Sequence, residues 1–396
     1  MKRDLLRKPV VPGELALTAD PVLRDVGAVS AAVCVQPSES VLGVWDRFVA
    51  GAKGSDLTQL SGWAVVRRTA GYEPLYVFAW QSGVMVGGAQ VMVRRIPLVG
   101  RIGYVAYGPV IAATAPRARV VAALADVFRE LGRGRLRALF VQPIEGADVS
   151  TALLARGFRD STAGVAPPAT VRIDLSAGEE ELRAGLSKRI RRWTGKWAKA
   201  GVTVRRGGVA DLEILAELLH RSARHQGFAE LSPEYVRTLY RQFAESGHVE
   251  IFVGEVDGTP VAAELFTTCG GVLRCRLTGM DRSSPAVRLS VTSALDWEAM
   301  KWAKANGFTQ FDLGGLSAST AALVAEGGFS CSALDGAARF KLGFGGRLYH
   351  YPRAVELFSS PVLRRAYDVL GSGSAGEALV DRARQWMRHG ARAVQK

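Results

Sequence analysis

Two rhythms of apolar and polar positions run along the chain, and they recur in the same order twice. Residues 44–49 carry helical spacing around Trp45 and Phe48. Residues 75–80 and 85–93 are β-branched and aromatic runs on either side of Gln81-Ser82-Gly83, which predicts a hairpin. A third strand is expected over 104–111, then a helix over 116–131 and a strand over 138–142, with 153–158 closing the unit. A polar break at 176–180 precedes a second copy of this order. Helices are predicted at 211–226 and 233–245, strands at 249–255, 261–267 and 272–278, a helix at 290–306 stopped by Gly307, and a strand at 309–313.

The halves also align in sequence. Gly83-Val84-Met85-Val86-Gly87-Gly88-Ala89 lies over Gly258-Thr259-Pro260-Val261-Ala262-Ala263-Glu264, and Leu153-Leu154-Ala155-Arg156-Gly157-Phe158 over the stretch from Leu323 to Phe329, at nearly one offset. Two matches in one register point to a duplicated domain. The element order of each copy resembles the GNAT acyltransferase fold. The resemblance implies an α/β (α+β) protein of two tandem GNAT-like domains, each a mixed, mostly antiparallel sheet flanked by helices. The expected organisation is an irregular leader over 1–40 with one strand at 31–35, domains over 41–175 and 176–353, and a basic helical tail over 354–396.

Composition narrows the partners. A chain of 396 residues with 48% hydrophobic content has room for two or three cores. Its 51 Lys+Arg against 37 Asp+Glu leave a net charge of +14, which favours nucleic acid, a nucleotide or an anionic membrane surface. Cys34, Cys269, Cys275 and Cys331 are too scattered for a disulfide framework, and no metal-ligand spacing is present, so a reducing, cytoplasmic setting is expected. The basic start is broken by Pro9 and Pro12 and does not read as a signal peptide; no apolar run reaches the roughly 18 residues of a membrane span.

Three stretches carry candidate chemistry. Arg339-Phe340-Lys341-Leu342-Gly343-Phe344-Gly345-Gly346-Arg347 reads as a strand entering a glycine turn, with Arg339 and Lys341 on one face and Phe340 and Leu342 on the other. That arrangement holds a cation for an electrophile; the alternative is a solvated lysine blunting a sheet edge. The glycine-bearing loop with which acyl-CoA enzymes of this fold grip pyrophosphate is missing at both expected places, residues 280–290 and 111–119, which argues for a donor other than CoA. Residues 186–206 hold eight Lys and Arg and no acid. Read as one helix, they place Ile190, Trp193 and Trp197 on an apolar stripe, with Arg189, Arg192, Lys196 and Lys199 on a separate face. Such a face suits either a nucleic-acid backbone or solvent.

With these stretches in place, the chain from about residue 44 to 352 resembles the Fem family of aminoacyl-tRNA-dependent transferases. The resemblance rests on Trp45, Gln59 to Trp63, Tyr107-Gly108-Pro109, Ser187-Lys188-Arg189-Ile190-Arg191-Arg192, Trp297-Glu298-Ala299, Phe311-Asp312-Leu313-Gly314-Gly315 and the Phe340-Lys341 motif. It implies that Lys341 stabilises the tetrahedral intermediate, that the first domain holds the acceptor through Tyr107 and Gly108, and that the second, basic domain meets the tRNA. Arg339, Phe340 and Phe344 would then border the substrate, and Lys188, Arg189, Arg192, Lys196 and Lys199 the tRNA. An activated ester needs no cofactor, only proximity and an oxyanion partner.

Asp312 has two readings: a group that orients the acceptor amine or takes its proton through water, or a buried acid paired with Arg339 or Lys341. His220 and His225 read as basic surface, and Cys331 has no histidine near it in sequence. Family members acting on peptidoglycan precursors carry an arginine before the Gly-Pro pair and an aspartate after it, where this chain has Tyr107 and Ile111-Ala112-Ala113. A smaller amine-bearing acceptor, such as a secondary-metabolite intermediate, therefore stands beside a peptidoglycan precursor. The expected activity is amide-bond formation from aminoacyl-tRNA. The alternatives are an N-acyltransferase using acyl-CoA or a carrier-protein thioester, and a non-catalytic RNA-binding protein. Arg382, Arg384, Arg388 and Arg392 beside Leu379, Trp386 and Met387 suggest peripheral contact of the tail with an anionic membrane or with RNA, or packing back onto the first domain.

Overall fold

The computed structural model describes residues 23–26, 28–227, 229–326 and 334–371. These form two units: one runs to Ala166 and resumes from Tyr351, and the other spans Pro167–His350.

In the first unit, β1 (Leu23–Val26), β2 (Val29–Cys34), α1 (Glu39–Gly51), α2 (Gly62–Arg68), β3 (Glu73–Gln81), β4 (Val84–Ile96), β5 (Gly100–Ala106), β6 (Val110–Ile111), α3 (Arg117–Glu130), β7 (Ala138–Gln142), α4 (Ala147–Leu154) and β8 (Arg159–Asp160) follow in order. The second contains β9 (Ala169–Asp174), α5 (Glu179–Gly185), α6 (Lys188–Thr194), β10 (Val202–Gly207), α7 (Leu212–Gln226), α8 (Pro233–Phe243), β11 (Val249–Val256), β12 (Thr259–Cys269), β13 (Val272–Met280), α9 (Ala286–Leu289), α10 (Val291–Ala305), β14 (Gln310–Leu316), α11 (Ala318–Glu326), α12 (Gly336–Leu342) and β15 (Arg347–His350). Then β16 (Val355–Phe358) and α13 (Pro361–Gly371) return the chain to the first unit.

The two sheets share one plan. The first has the order β1-β2-β3-β4-β5-β7-β16-β8, with β6 on β4, and the second β10-β11-β12-β13-β14-β9-β15. In both, a run of consecutive antiparallel strands, β1 to β5 in the first and β10 to β13 in the second, meets the next strand in parallel, β5 with β7 and β13 with β14. The expected pair of mixed, mostly antiparallel sheets flanked by helices is what forms.

Local signals explain the elements. Ser38 caps α1, and Val41, Trp45 and Val49 lie one helical turn apart on its buried face. Ser232 and Pro233 open α8, which buries Val236, Leu239 and Phe243. α10 is buried on most sides, from Val291 through Leu295, Trp297 and Met300 to Ala303, because it lies against β11 and β12.

The one strand expected in the leader, at 31–35, forms at Val29–Cys34, with Val29, Ala31 and Val33 in the first core. Two expectations are corrected. The second unit begins before the polar break: Val171 and Ile173 alternate into its core, which draws β9 between β14 and β15. The tail is not all helix, because β16 inserts between β7 and β8 with Val355 and Leu357 buried and Glu356 bonded to Arg159 and Ser161. The tail arginines from Arg382 on, Cys331 and Phe329 lie outside the described residues. No helix among the described residues is long and apolar enough to cross a membrane.

Candidate active site

Lys341 lies on a helix, not on a strand. Asp335 caps α12 by accepting from the Ala338 amide at 2.7 Å, and the Arg339 and Gly343 amides donate four residues back to the Asp335 and Arg339 carbonyls at 3.0 Å, which makes the stretch helical although Ala338, Phe340 and Leu342 alternate. Strand alternation fails here because Gly336-Ala337-Ala338 after an aspartate is itself a helix start. Arg339 is exposed, Phe340 half-buried and edge-on to Phe344 with centroids 5.4 Å apart, and Phe344 is 2% exposed inside the core.

The helix carries the ammonium group of Lys341 to a gap in the sheet. β13 and β14 pair from Val272↔Gln310 to Arg274↔Asp312, and the ladder then ends. Just beyond, Lys341 Nζ donates to the Gly315 carbonyl at 2.7 Å. Gly314 has φ +85, and a Cβ there would lie 3.7 Å from Nζ and 3.2 Å from the Cys275 carbonyl oxygen. Glycine is thus required by the backbone and keeps the corner open.

Asp312 marks the closed end of the gap. It is fully buried; Oδ1 accepts from Thr170 Oγ1 at 2.5 Å and the Gly314 amide at 2.8 Å, and Oδ2 accepts from Arg274 Nε at 3.0 Å and Arg172 Nε at 3.4 Å. Burial pushes its carboxyl up, but Arg274, Thr170 and Arg172 outweigh that and hold it below the usual carboxylate range. This is the buried-acid arrangement, with Arg274 and Arg172 as partners in place of Arg339 or Lys341. A carboxylate so occupied is a poor proton acceptor. Arg172 also stacks on Tyr349 at 3.7 Å, beside a groove of about 980 Å³ lined by Asp174, Glu181, Phe344 and Arg347.

A second acidic centre escaped the sequence reading. Glu264 on β12 and Asp296 on α10 are each 1% exposed, and with Cys275 on β13 they place side-chain oxygens and sulfur within 4.8 Å of one another. Burial raises Asp296 to about 7; burial and then the Asp296 charge raise Glu264 well above the carboxylate range. Burial and the two acids push the Cys275 thiol up as well, so it stays protonated, and the charge of Lys341 reaches both Asp296 and Cys275. A neutral thiol and a facing ammonium make a cation unwelcome there; a proton is what the pair calls for. The signal was present: Glu264 interrupts Val261-Ala262-Ala263-Glu264-Leu265-Phe266 and Asp296 interrupts Ala294-Leu295-Asp296-Trp297, acids at apolar positions.

The basic stretch is broken. α6 ends at Gly195, a turn follows, Gly201 takes φ +71, and β10 begins. Ile190 and Trp197 are buried and Trp193 packs beside them, as the apolar stripe required, with Trp197 Nε1 donating to the Leu289 carbonyl at 3.0 Å. Lys188, Arg189, Arg192, Lys196 and Lys199 are exposed, with no carboxylate partner among the described residues. Arg205 and Arg206, by contrast, sit on β10 in ion pairs with Asp211, Glu255 and Glu250. The glycines break the helix because the chain must turn to supply an edge strand.

Tyr107 and Gly108 belong to the first unit. Tyr107 is 7% exposed with φ +54, its ring 4.7 Å from that of Tyr351. A Cβ on Gly108 would lie 2.8 Å from the Gln59 amide carbon, and that amide donates to the Ala106 carbonyl at 2.8 Å. Gly108 is therefore fixed by packing against Gln59.

Residues 181–341 match the family described as the acetyltransferase (GNAT) domain. Relatives from Staphylococcus aureus named lipid II:glycine glycyltransferase are 25% identical over 225 residues, 54% of this chain and 53% of theirs. The chain thus spans about half the length of the curated relatives it matches. The crystal structure of FemX aligns with a TM-score of 0.71 at 18% identity, covering 82% of this chain and 98% of that one. L-PGS from Bacillus licheniformis aligns with a TM-score of 0.52 at 14% identity, over 84% and 95%. The fold is that of tandem GNAT-like domains.

Proposed function

From its similarity to the lipid II:glycine glycyltransferases and to FemX, we propose that this chain is a Fem-family enzyme that moves an amino acid from its tRNA ester to an amine, forming an amide bond, with a peptidoglycan precursor as the acceptor. The amine attacks the ester carbonyl, the carbonyl oxygen becomes an oxyanion, and collapse expels the tRNA hydroxyl; the proton lost by the amine balances the one the hydroxyl gains. The observation that carries the reading is the ammonium of Lys341 at the open corner by Gly314, where among the described residues one of its three donors is taken by Gly315 and two remain for an oxygen. In this reading Lys341 meets the oxyanion, Arg339 and Phe340 border the donor, and Lys188, Arg189, Arg192, Lys196 and Lys199 take the tRNA phosphates. Tyr107 and Gly108 bound the acceptor side. Asp312 serves by holding β14 against β9 and β13 through Arg172, Thr170 and Arg274.

The acceptor's finer identity turns on Tyr107, which supplies no cation for a phosphate. A soluble amine-bearing metabolite is therefore the second acceptor to offer. The test is transfer of radiolabelled amino acid from a pool of charged tRNAs to a lipid-linked muropeptide or to soluble amines. Loss of transfer with RNase and in Lys341→Ala supports the proposal. Transfer that survives RNase and requires a CoA or carrier-protein thioester rejects it, as does tRNA binding without turnover on any acceptor.

A further inference from the structure

Behind the Lys341 corner lies a charge arrangement that the proposed chemistry does not use. Neither Glu264 Oε2 nor Asp296 Oδ1 has a donor among the described residues, and the two carboxyls, each 1% exposed, bring oxygens within 4.8 Å of each other. Two carboxylates only accept and repel each other when buried, so a pair this close is stable when one of them carries a proton. The groups facing the pair are Cys275 and Thr278 from β13 and Lys341 from α12; Thr278 bonds to Glu264, and its hydroxyl lies 3.3 Å from Cys275 Sγ. Cys275 also joins the two centres, its sulfur grouped with the acids and its carbonyl oxygen at the Gly314 corner.

Resting on the aminoacyl-transfer reading, we propose that Glu264 and Asp296 are positioning residues for Lys341: they share one proton, and the single negative charge left on the pair holds the ammonium at the Gly314–Gly315 corner. Adding a second proton removes that charge and loosens the lysine. The direction of both titrations agrees. Glu264, raised well above its ordinary range, keeps its proton at neutral pH, while Asp296, at about 7, gains one as the medium turns acid.

Three measurements on the full chain test this. Infrared spectra of the wild type at neutral pH are expected to contain the C=O band of a protonated carboxyl, absent from Glu264→Gln; a wild type without the band overturns the shared proton. The kcat profile is expected to fall on the acid side of about 7. In Glu264→Gln/Asp296→Asn that limb disappears and kcat drops about tenfold or more, while KM for charged tRNA stays within about twofold; an unmoved limb overturns the positioning role. Labelling of Lys341 by an amine-reactive reagent, read by mass spectrometry, is expected to quicken about fivefold in the double variant, because a side chain no longer held at the corner by its counter-charge meets the reagent more often. An unchanged labelling rate overturns the role even if no charged tRNA serves as donor, so a failed donor assay rejects the aminoacyl-transfer reading separately. Asp296→Asn alone is the substitute if the double variant does not fold. Stoichiometric zinc in the purified chain would claim the same oxygens and also overturns the proposal.

Discussion

The ammonium group of Lys341 is tied to the carbonyl of Gly315 by a 2.7 Å hydrogen bond. The bond links a helix near the end of the second unit to the strand that carries Asp312, and it lies just past the last paired rung of β13 and β14. A flexible four-carbon side chain is thereby fixed at the place where the sheet opens, which is what an oxyanion partner requires: a donor already in position before charge develops.

Lys341→Ala is expected to lower aminoacyl transfer by about 10²–10³-fold, the usual cost of removing one such donor. Stability should change little, by about 1 kcal/mol, because a single half-buried hydrogen bond is lost. Single-turnover rates beside a thermal melt distinguish the two effects.

Asp312→Asn is expected to destabilise the chain by roughly 3–5 kcal/mol, because Arg172 and Arg274 are left buried without their counter-charge. The folded carboxyl is depressed, so its contribution is present above the unfolded value of about 3.9 and is lost as pH falls through the lower folded value. Urea titrations at a series of pH values should show an acid limb in the wild type that is flattened in the variant.

The Glu264–Asp296 pair has the opposite sign. Asp296 is raised to about 7 when folded, so its contribution to stability is complete below the unfolded carboxylate value and fades as pH rises through about 7. Glu264→Gln/Asp296→Asn is therefore expected to melt higher than the wild type on the alkaline side, with the difference shrinking towards acid. Melting temperatures of both proteins across that range decide it.

Reversing Arg189, Arg192 and Lys196 to glutamate is expected to weaken binding of charged tRNA and to flatten its salt dependence, the log–log slope falling by about 0.7–0.9 for each phosphate no longer neutralised. Arg205, already held by Asp211 and Glu255, is the contrast, and its reversal should act through stability instead. Binding isotherms at several salt concentrations read the slope directly.

Gly345→Ala is expected to cost about 2 kcal/mol or more. Gly345 has φ +76, and a Cβ there would lie 2.3 Å from the Gly185 carbonyl oxygen. Denaturant midpoints measure the loss, and transfer rates at low temperature show whether the turn after Lys341 also matters for activity.

The sequence by itself determined the repeated element order, because helices and strands in both halves are amphipathic and their periods survive without knowledge of what they pack against. The hairpin of β3 and β4, the helices α7, α8 and α10 and the matching strand β12 were all legible for that reason. It also singled out Lys341 and the unpaired cations of 188–199. Where a short segment met two rules at once, only the tertiary structure decided. Residues 336–342 alternate like a strand, yet a capping aspartate and backbone hydrogen bonds four residues back make them a helix. Asp312 stands two residues before a glycine pair in the sequence, but its arginine partners come from β9 and β13, 140 and 38 residues away. Glu264 and Asp296 are isolated acids in the sequence and become a pair only when α10 lies down on β12. Long-range pairing of charges depends on which faces meet, and that is a property of packing rather than of local period.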